Sequence, residues 1–167
     1  MLEFNTTQSP TDALLATFRR HASGVSVITC SDPAGNPVGF TATSMTSLGA
    51  NPPLVMFSVA CGASSWEAIS KAEFIAIHTL GERNLELAQR MAADHTKRFV
   101  QNDWVRGPHD VPVFTDATSA LVAKIRQVIN VENNAVVIAD VVAGGVGEEN
   151  PALLYHQRGY HTPAAAL

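Results

Sequence analysis

Short apolar runs separated by glycine, proline and asparagine set the pattern of this chain. Gly24 to Cys30 (GVSVITC) is rich in β-branched residues and reads as a strand. Asp32-Pro33-Ala34-Gly35-Asn36 is a turn signal, and Val38 to Thr43 follows it, so the first two strands form a predicted hairpin. Leu54 to Ala60 is a second apolar run, preceded by Pro52-Pro53, and reads as a buried strand. Pro53 cannot donate to a ladder, so this strand is predicted to begin just after it; Asn51, before a proline, is predicted to be extended or in a turn. Glu73 to Leu80 alternates as a strand does, and His78 within it reads as a satisfied sheet histidine. Ala120 to Val131 and Asn134 to Val142 read as two long strands joined at Glu132-Asn133, with Gly144, Gly145 and Gly147 ending the later one. Leu153 to Tyr155 is a short final strand, with Arg158-Gly159-Tyr160 a turn beyond it.

Helical periodicity is confined to three places. Leu14, Leu15 and Phe18 give one apolar face, with Ser9 or Thr11 as cap, Pro10 in the first turn and Arg19, Arg20 and His21 in the last. Ser64 or Ser65 is predicted to cap a short helix that ends near Ser70. Arg83 to Ala93 places Leu85, Leu87, Ala88 and Met91 at helical spacing. Asp94 to Arg106 is polar with two aromatics, and Gly107-Pro108 with Pro112 makes an irregular connection. Residues 1–9 read as an unstructured lead, and 164–167 carry no signal. Strands with short helices between them, and no regular βα alternation, predict a mainly β fold: a closed antiparallel barrel with helical insertions.

Composition narrows this picture. A chain of 167 residues suggests one domain, 1–167, able to bury a sizeable core. Hydrophobic residues make up 46% and charged residues 16%, which leaves apolar surface for an oligomer to cover. The net charge of -4 does not favour nucleic acid. Cys30 and Cys61 lie far apart with no metal or disulfide spacing and read as free thiols in a reducing compartment. MLEFNTTQSP lacks a basic segment followed by an apolar one, and Ala135 to Val146 is broken by Asp140 and too short to span a bilayer. The expectation is a cytoplasmic soluble protein without membrane or nucleic-acid partners.

Candidate chemistry concentrates in Val38 to Ala60. Thr41, Thr43, Ser44, Thr46 and Ser47 precede the apolar run, so hydroxyls and bare backbone amides meet at a strand–loop–strand junction. Such a junction suits a polar ligand with a flat apolar body; threonine also suits strands, so an ordinary sheet corner has the same composition. Ser64 and Ser65 at a helix start describe either an anion site or a plain cap. Lys97 and Arg98 beside Phe99 describe either a phosphate clamp or a solvated loop. There is no GxGxxG after a strand, no GxxxxGK[ST], no HExxH and no GxSxG, and the histidines show no paired metal spacing.

Taken in order, these stretches resemble the flavin reductase-like proteins, small reductase components of two-component flavin monooxygenases with the FMN-binding split-barrel fold. FRRHASGVSVIT (Phe18 to Thr29) is similar to the family's first helix and strand. GFTATSMTSLGANPPLVMFSV (Gly39 to Val59) is similar to its flavin-cradling strand pair. Ser64-Ser65-Trp66 and Phe74 to Leu80 follow, Lys97-Arg98-Phe99 with Trp104 is similar to the phosphate loop, and PALLYHQRGY (Pro151 to Tyr160) to the closing strand and turn. The resemblance covers roughly residues 14–160.

It implies an antiparallel split β-barrel with short peripheral helices and a homodimer. FMN or FAD would sit near the dimer interface, NADH or NADPH would reduce it, and an oxygenase component would take the product. Thr41, Ala42, Thr43 and Ser44 would meet the ring and ribityl chain, and Ser58, Val59 and Ala60 would give backbone contacts to the ring. Ser64, Ser65, Lys97, Arg98 and Phe99 would hold the phosphate, and Ser47, Asn134 and Tyr160 complete the cofactor-binding set. The cofactors supply the reactive centres, so no catalytic side chain is implied; the protein orients two rings and stabilises developing charge. One departure stands out. Many members carry Gly-Asp-His at the turn before the last long strand, where this chain has Glu132-Asn133-Asn134. Asn134 hydrogen-bonds but does not titrate. The alternative is therefore a flavin- or haem-binding split-barrel protein without turnover.

Overall fold

The computed structural model describes residues 9–164. The expected lead at 1–8 and the end of the tail at 165–167 lie outside the described residues. Helix α1 spans Pro10–Arg20, followed by β1 Ser23–Gly24, β2 Ser26–Ser31, β3 Pro37–Ala42, β4 Thr46–Ala50 and β5 Pro53–Ala60. Then come α2 Trp66–Lys71, β6 Phe74–Thr79, α3 Leu85–Ala92, and a small hairpin of β7 Trp104–Arg106 with β8 Pro112–Phe114. The long strands β9 Ser119–Val131 and β10 Asn134–Val146 follow, then β11 Leu154–His156 and β12 Gly159–His161.

Seven strands form one antiparallel sheet in the order β3-β2-β6-β9-β10-β5-β4. The β2–β3 hairpin is the expected one: the Asp32 carboxylate accepts from the amides of Ala34 (2.9 Å) and Asn36 (2.8 Å) and folds the turn. These bonds, the Asn36 side chain foremost, hold the Asp32 carboxyl below its usual range. The sheet curls over its core, so Phe40 of β3 and Phe57 of β5, near opposite edges, bring their rings within 6.2 Å. Strand β5 alternates: Val55, Phe57 and Val59 are buried while Ser58 and Ala60 face out. Helix α2 closes this core with Ala68 and Ile69. A second core beneath α3 gathers Val27, Leu80, Leu87, Ala88, Met91 and Phe114.

His78 has no exposed surface and is satisfied as expected. Its Nδ1–H donates to the Val27 carbonyl (3.0 Å), and Nε2 accepts from the Phe114 amide (3.1 Å). Burial pulls its pKa from 6.5 down to about 4.

Several expectations change. The hydroxyl-rich stretch is not an adjacent strand pair. The chain leaves β3 at Ala42, crosses through Thr43–Met45, and lays down an extra strand, β4, at the opposite edge of the sheet. No ladder joins β3 to β4 among the described residues, so hydrogen bonds do not close the barrel at this seam. The predicted Gly24–Cys30 strand divides at Val25, because β1 pairs with β11 instead. Gly144 and Gly145 continue β10 rather than end it. A Cβ on Gly144 would stand 2.8 Å from Leu121 Cδ2 and 3.2 Å from the Ala120 carbonyl of β9. Gly159 and Tyr160 belong to β12, and the turn is Gln157-Arg158. Ser9 and Ser65 occupy cap positions without a side-chain capping bond. Among the described residues the apolar face of α1 buries no side chain: Leu14, Leu15 and Phe18 all stand exposed.

Candidate functional site

Two cavities flank β3. The larger, of about 740 Å³, is lined by Thr43, Ser44, Met45 and Thr46 after β3, by Ser58 of β5, and by Phe18, His21, Ala22, Ser23, Gly24 and Tyr155. Pairing explains the opening. β4 covers β5 only from Pro53 to Met56, so Ser58 lies beyond its end. The Ser44 hydroxyl fills in, accepting from the Ser58 amide (3.0 Å) and donating to the Ser58 carbonyl (3.1 Å). Thr43, Ser44 and Ser58 therefore meet at one exposed corner.

The smaller cavity, about 100 Å³, is lined by Pro37, Val38 and Gly39 at the start of β3, Ser64 and Ser65 before α2, and His95, Arg98 and Phe99. The Arg98 guanidinium reaches across it. Nη1 donates to the Gly39 carbonyl (2.8 Å) and lies 3.4 Å from the Ser64 hydroxyl, while Nη2 and Nε donate to the Ala93 carbonyl (2.9 and 3.2 Å). Partial burial draws the Arg98 pKa below the ordinary guanidinium value, and Asp94 opposes that pull. Ser65 is 1% exposed and its hydroxyl has no hydrogen-bond partner. A buried, unpartnered hydroxyl beside a half-exposed cation is costly without a ligand and well made for an anion.

The cavities share no lining residue, but β3 runs from one to the other. From Gly39 to Thr43 the strand rises about 13 Å.

Other predicted residues fall differently. Thr41 spends its hydroxyl on the Ala88 carbonyl (2.7 Å), so it anchors α3. The side chains of Ala42 (6% exposed) and Val59 (5%) belong to the core, leaving only their backbone for a ligand. Ala60 is exposed and pairs with Asn134 across β5–β10, and neither residue lines either cavity. Lys97 is exposed and lines neither cavity; it closes a 3₁₀ turn, His95–Lys97, that sends successive side chains to different sides. Ser47 sits on the edge strand β4, away from both cavities. Tyr160 packs edge-on against Tyr155 (5.3 Å), and it is Tyr155 that lines the large cavity. Phe18, His21, Tyr155 and His95 were not expected at a site. His95 adjoins the recognised cation pair, whereas nothing in the sequence pattern brings Phe18 next to Ser58.

Fold and cavities together define a small antiparallel β protein with two openings along one strand, the larger lined by hydroxyls and aromatic edges and the smaller by a guanidinium. The chain belongs to the flavin reductase-like family: the family model described as "Flavin reductase like domain" matches residues 18–164. It is similar to the NADH:FMN oxidoreductase of Rhodococcus erythropolis, 39% identical over 89% of this chain and 79% of that protein. It is similar to the stachydrine N-demethylase reductase subunit Stc3 of Rhizobium meliloti, 34% identical over 92% of this chain and 66% of that one. The crystal structure of a flavin reductase domain protein from Arthrobacter sp. FB24 superposes with a TM-score of 0.90 at 44% identity, covering 93% of this chain and 97% of its own.

Proposed function

We propose that this protein is an NADH-dependent flavin reductase that passes hydride from reduced nicotinamide to FMN or FAD. The observation that carries the reading is the pairing of cavities along β3: a phosphate-sized crevice with Arg98 and the orphaned Ser65 hydroxyl at one end, and an open hydroxyl-lined cavity at the other. The spacing suits a ligand with a ring, a sugar-alcohol chain and a phosphate. The names of the Rhodococcus and Rhizobium relatives support the donor, the flavin and the reductase role.

When bound, the flavin supplies the hydride-accepting ring. The chain's own residues do the rest. Arg98, Ser64 and Ser65 hold the phosphate by charge and hydrogen bonds. Thr43, whose hydroxyl has no partner among the described residues, can meet the polar edge of the ring at the corner that Ser44 and the Ser58 backbone brace by bonding each other. Phe18 and Tyr155 wall the cavity and keep water from one face.

Release of reduced flavin to an oxygenase component completes the proposal, as the Stc3 name suggests for that relative. A homodimer would cover Leu48, Ile129, Val131 and Val142, which stand 40–55% exposed. The free thiols Cys30 and Cys61 suit the reducing cytoplasm. Among the described residues no helix is long and apolar enough to cross a membrane.

Anaerobic mixing of the flavin-loaded protein with NADH tests the reading. Loss of the visible flavin absorption is expected; no bleaching with NADH or NADPH overturns it. The second reading, a protein that holds flavin or haem without turnover, is favoured by the non-titrating Asn134 in place of the histidine that many family members carry, and predicts retention without bleaching.

A further inference from the structure

The large cavity continues beyond the residues that a flavin ring would use. Phe18, His21 and Tyr155 line it, and the same three line a neighbouring cavity of about 200 Å³. The two therefore form one groove with an aromatic middle. Past that middle the walls become cationic: Arg19 from the last turn of α1 and Arg158 from the β11–β12 turn. The Gln157 amide donates to the Arg19 carbonyl (3.1 Å) and ties the two walls together.

Helix α1 contributes no side chain to the described core. None of the described side chains of α1 is buried, and Phe18 is 63% exposed. Arg83, Arg90, Arg106 and Arg126 each pair with a carboxylate, but neither Arg19 nor Arg158 has an ion-pair partner among the described residues. Two uncommitted guanidiniums beside exposed aromatic rings match a diphosphate joined to a flat base: forks of N–H donors for the phosphates and ring faces for the base. The groove shares no lining residue with the Arg98 crevice. The protein thus has cationic, phosphate-binding chemistry in two separate cavities, more than a single FMN phosphate occupies.

We propose that the groove between α1 and the β11–β12 hairpin binds the ADP moiety of a dinucleotide. Arg19 and Arg158 meet the diphosphate, Phe18 and His21 meet the adenine, and the redox ring of the same molecule reaches the Ser44–Ser58 corner. The ADP belongs to the nicotinamide donor, since the flavin's own phosphate is assigned to the Arg98 crevice; that assignment rests on the flavin reductase reading.

The test combines Arg19→Gln with Arg158→Asn. The backbone tether at Arg19 survives the first change, and asparagine tolerates the left-handed backbone at position 158 (φ 64). Calorimetric titration with ADP-ribose reads the groove directly. We expect the double variant to bind ADP-ribose at least tenfold more weakly, and Arg19→Lys with Arg158→Lys to recover only part of the loss, because lysine restores the charge but not the fork. If the donor's ADP is bound, the preference for NADH over reduced nicotinamide riboside falls by a similar factor. A fall in the preference for FAD over FMN instead would overturn the assignment to the donor. An unchanged ADP-ribose affinity in the double variant, or no ADP-ribose binding by the unaltered protein, overturns the proposal. Flavin bleaching by NADH is scored separately, so bleaching with an unchanged ADP-ribose affinity sinks the groove and leaves the reductase reading intact.

Discussion

Replacing Arg98 by alanine separates the phosphate crevice from its surroundings. Arginine carries five N–H donors. Four are already directed: Nε and one Nη2 hydrogen at the Ala93 carbonyl, and the two Nη1 hydrogens at the Gly39 carbonyl and, across 3.4 Å, the Ser64 hydroxyl. The second Nη2 hydrogen and the long Ser64 contact are what a phosphate can claim. A charge-assisted bond contributes about 1.5–3 kcal/mol net, or about 10- to 150-fold in affinity. The guanidinium is half-buried, so screening by water puts the effect at the lower end, about tenfold. The assay is flavin titration by fluorescence with FMN and with riboflavin, which lacks the phosphate. Arg98→Ala should weaken FMN about tenfold or more and riboflavin less than about threefold. Any disturbance of β3 from losing the Gly39 bond would act on both ligands, so their ratio isolates the phosphate contact. Lys97→Ala, at an exposed side chain outside the crevice, should change neither ligand by more than about threefold. Equal losses of FMN and riboflavin in Arg98→Ala, or a Lys97→Ala loss matching that of Arg98→Ala, would refute the assignment.

Three further outcomes follow from the same contacts. Ser65→Ala removes a buried hydroxyl that has no partner, so the flavin-free protein should gain about 1 kcal/mol while FMN binds more weakly; an unchanged FMN affinity would remove Ser65 from the crevice. His78 is held neutral, with its pKa lowered from 6.5 to about 4, so the unfolded chain takes up a proton that the folded one refuses. Its contribution is present above pH 6.5 and lost as pH falls towards 4, at up to about 1.4 kcal/mol per pH unit and about 3 kcal/mol in all. Urea denaturation across that window should show this slope, and His78→Leu should lack it; parallel profiles would contradict the buried neutral imidazole. Gly39→Ala would place a Cβ 2.7 Å from the Ile28 carbonyl and 2.8 Å from Met91 Cε, so Tm should drop in proportion to about 1–3 kcal/mol; an unchanged Tm would mean that β3 has room to shift.

Local signals in the chain identified what local physics controls. The Asp32–Asn36 turn, the β9–β10 hairpin around Glu132-Asn133, the strand after Pro52-Pro53 and the short helices all follow from side-chain period and turn chemistry. The hydroxyl-rich stretch and the Lys97-Arg98 pair were visible as candidates because their composition is unusual for a loop and strand edge. Which hydroxyls remain open to a ligand was not visible. Thr41 turns to Ala88 and Ser44 to Ser58 because β3 and β5 lie at opposite sides of a curled sheet, an ordering that depends on pairings across scores of residues. The split between Arg98 and Lys97 is likewise tertiary: adjacent residues leave a 3₁₀ turn in different directions, and only one finds the Gly39 carbonyl. The aromatic wall of Phe18, His21 and Tyr155 joins residues from both ends of the chain through the pairing of β1 with β11. Hydrophobic periodicity specifies which face of an element is buried; long-range strand order decides which exposed groups become neighbours, and no local pattern encodes that.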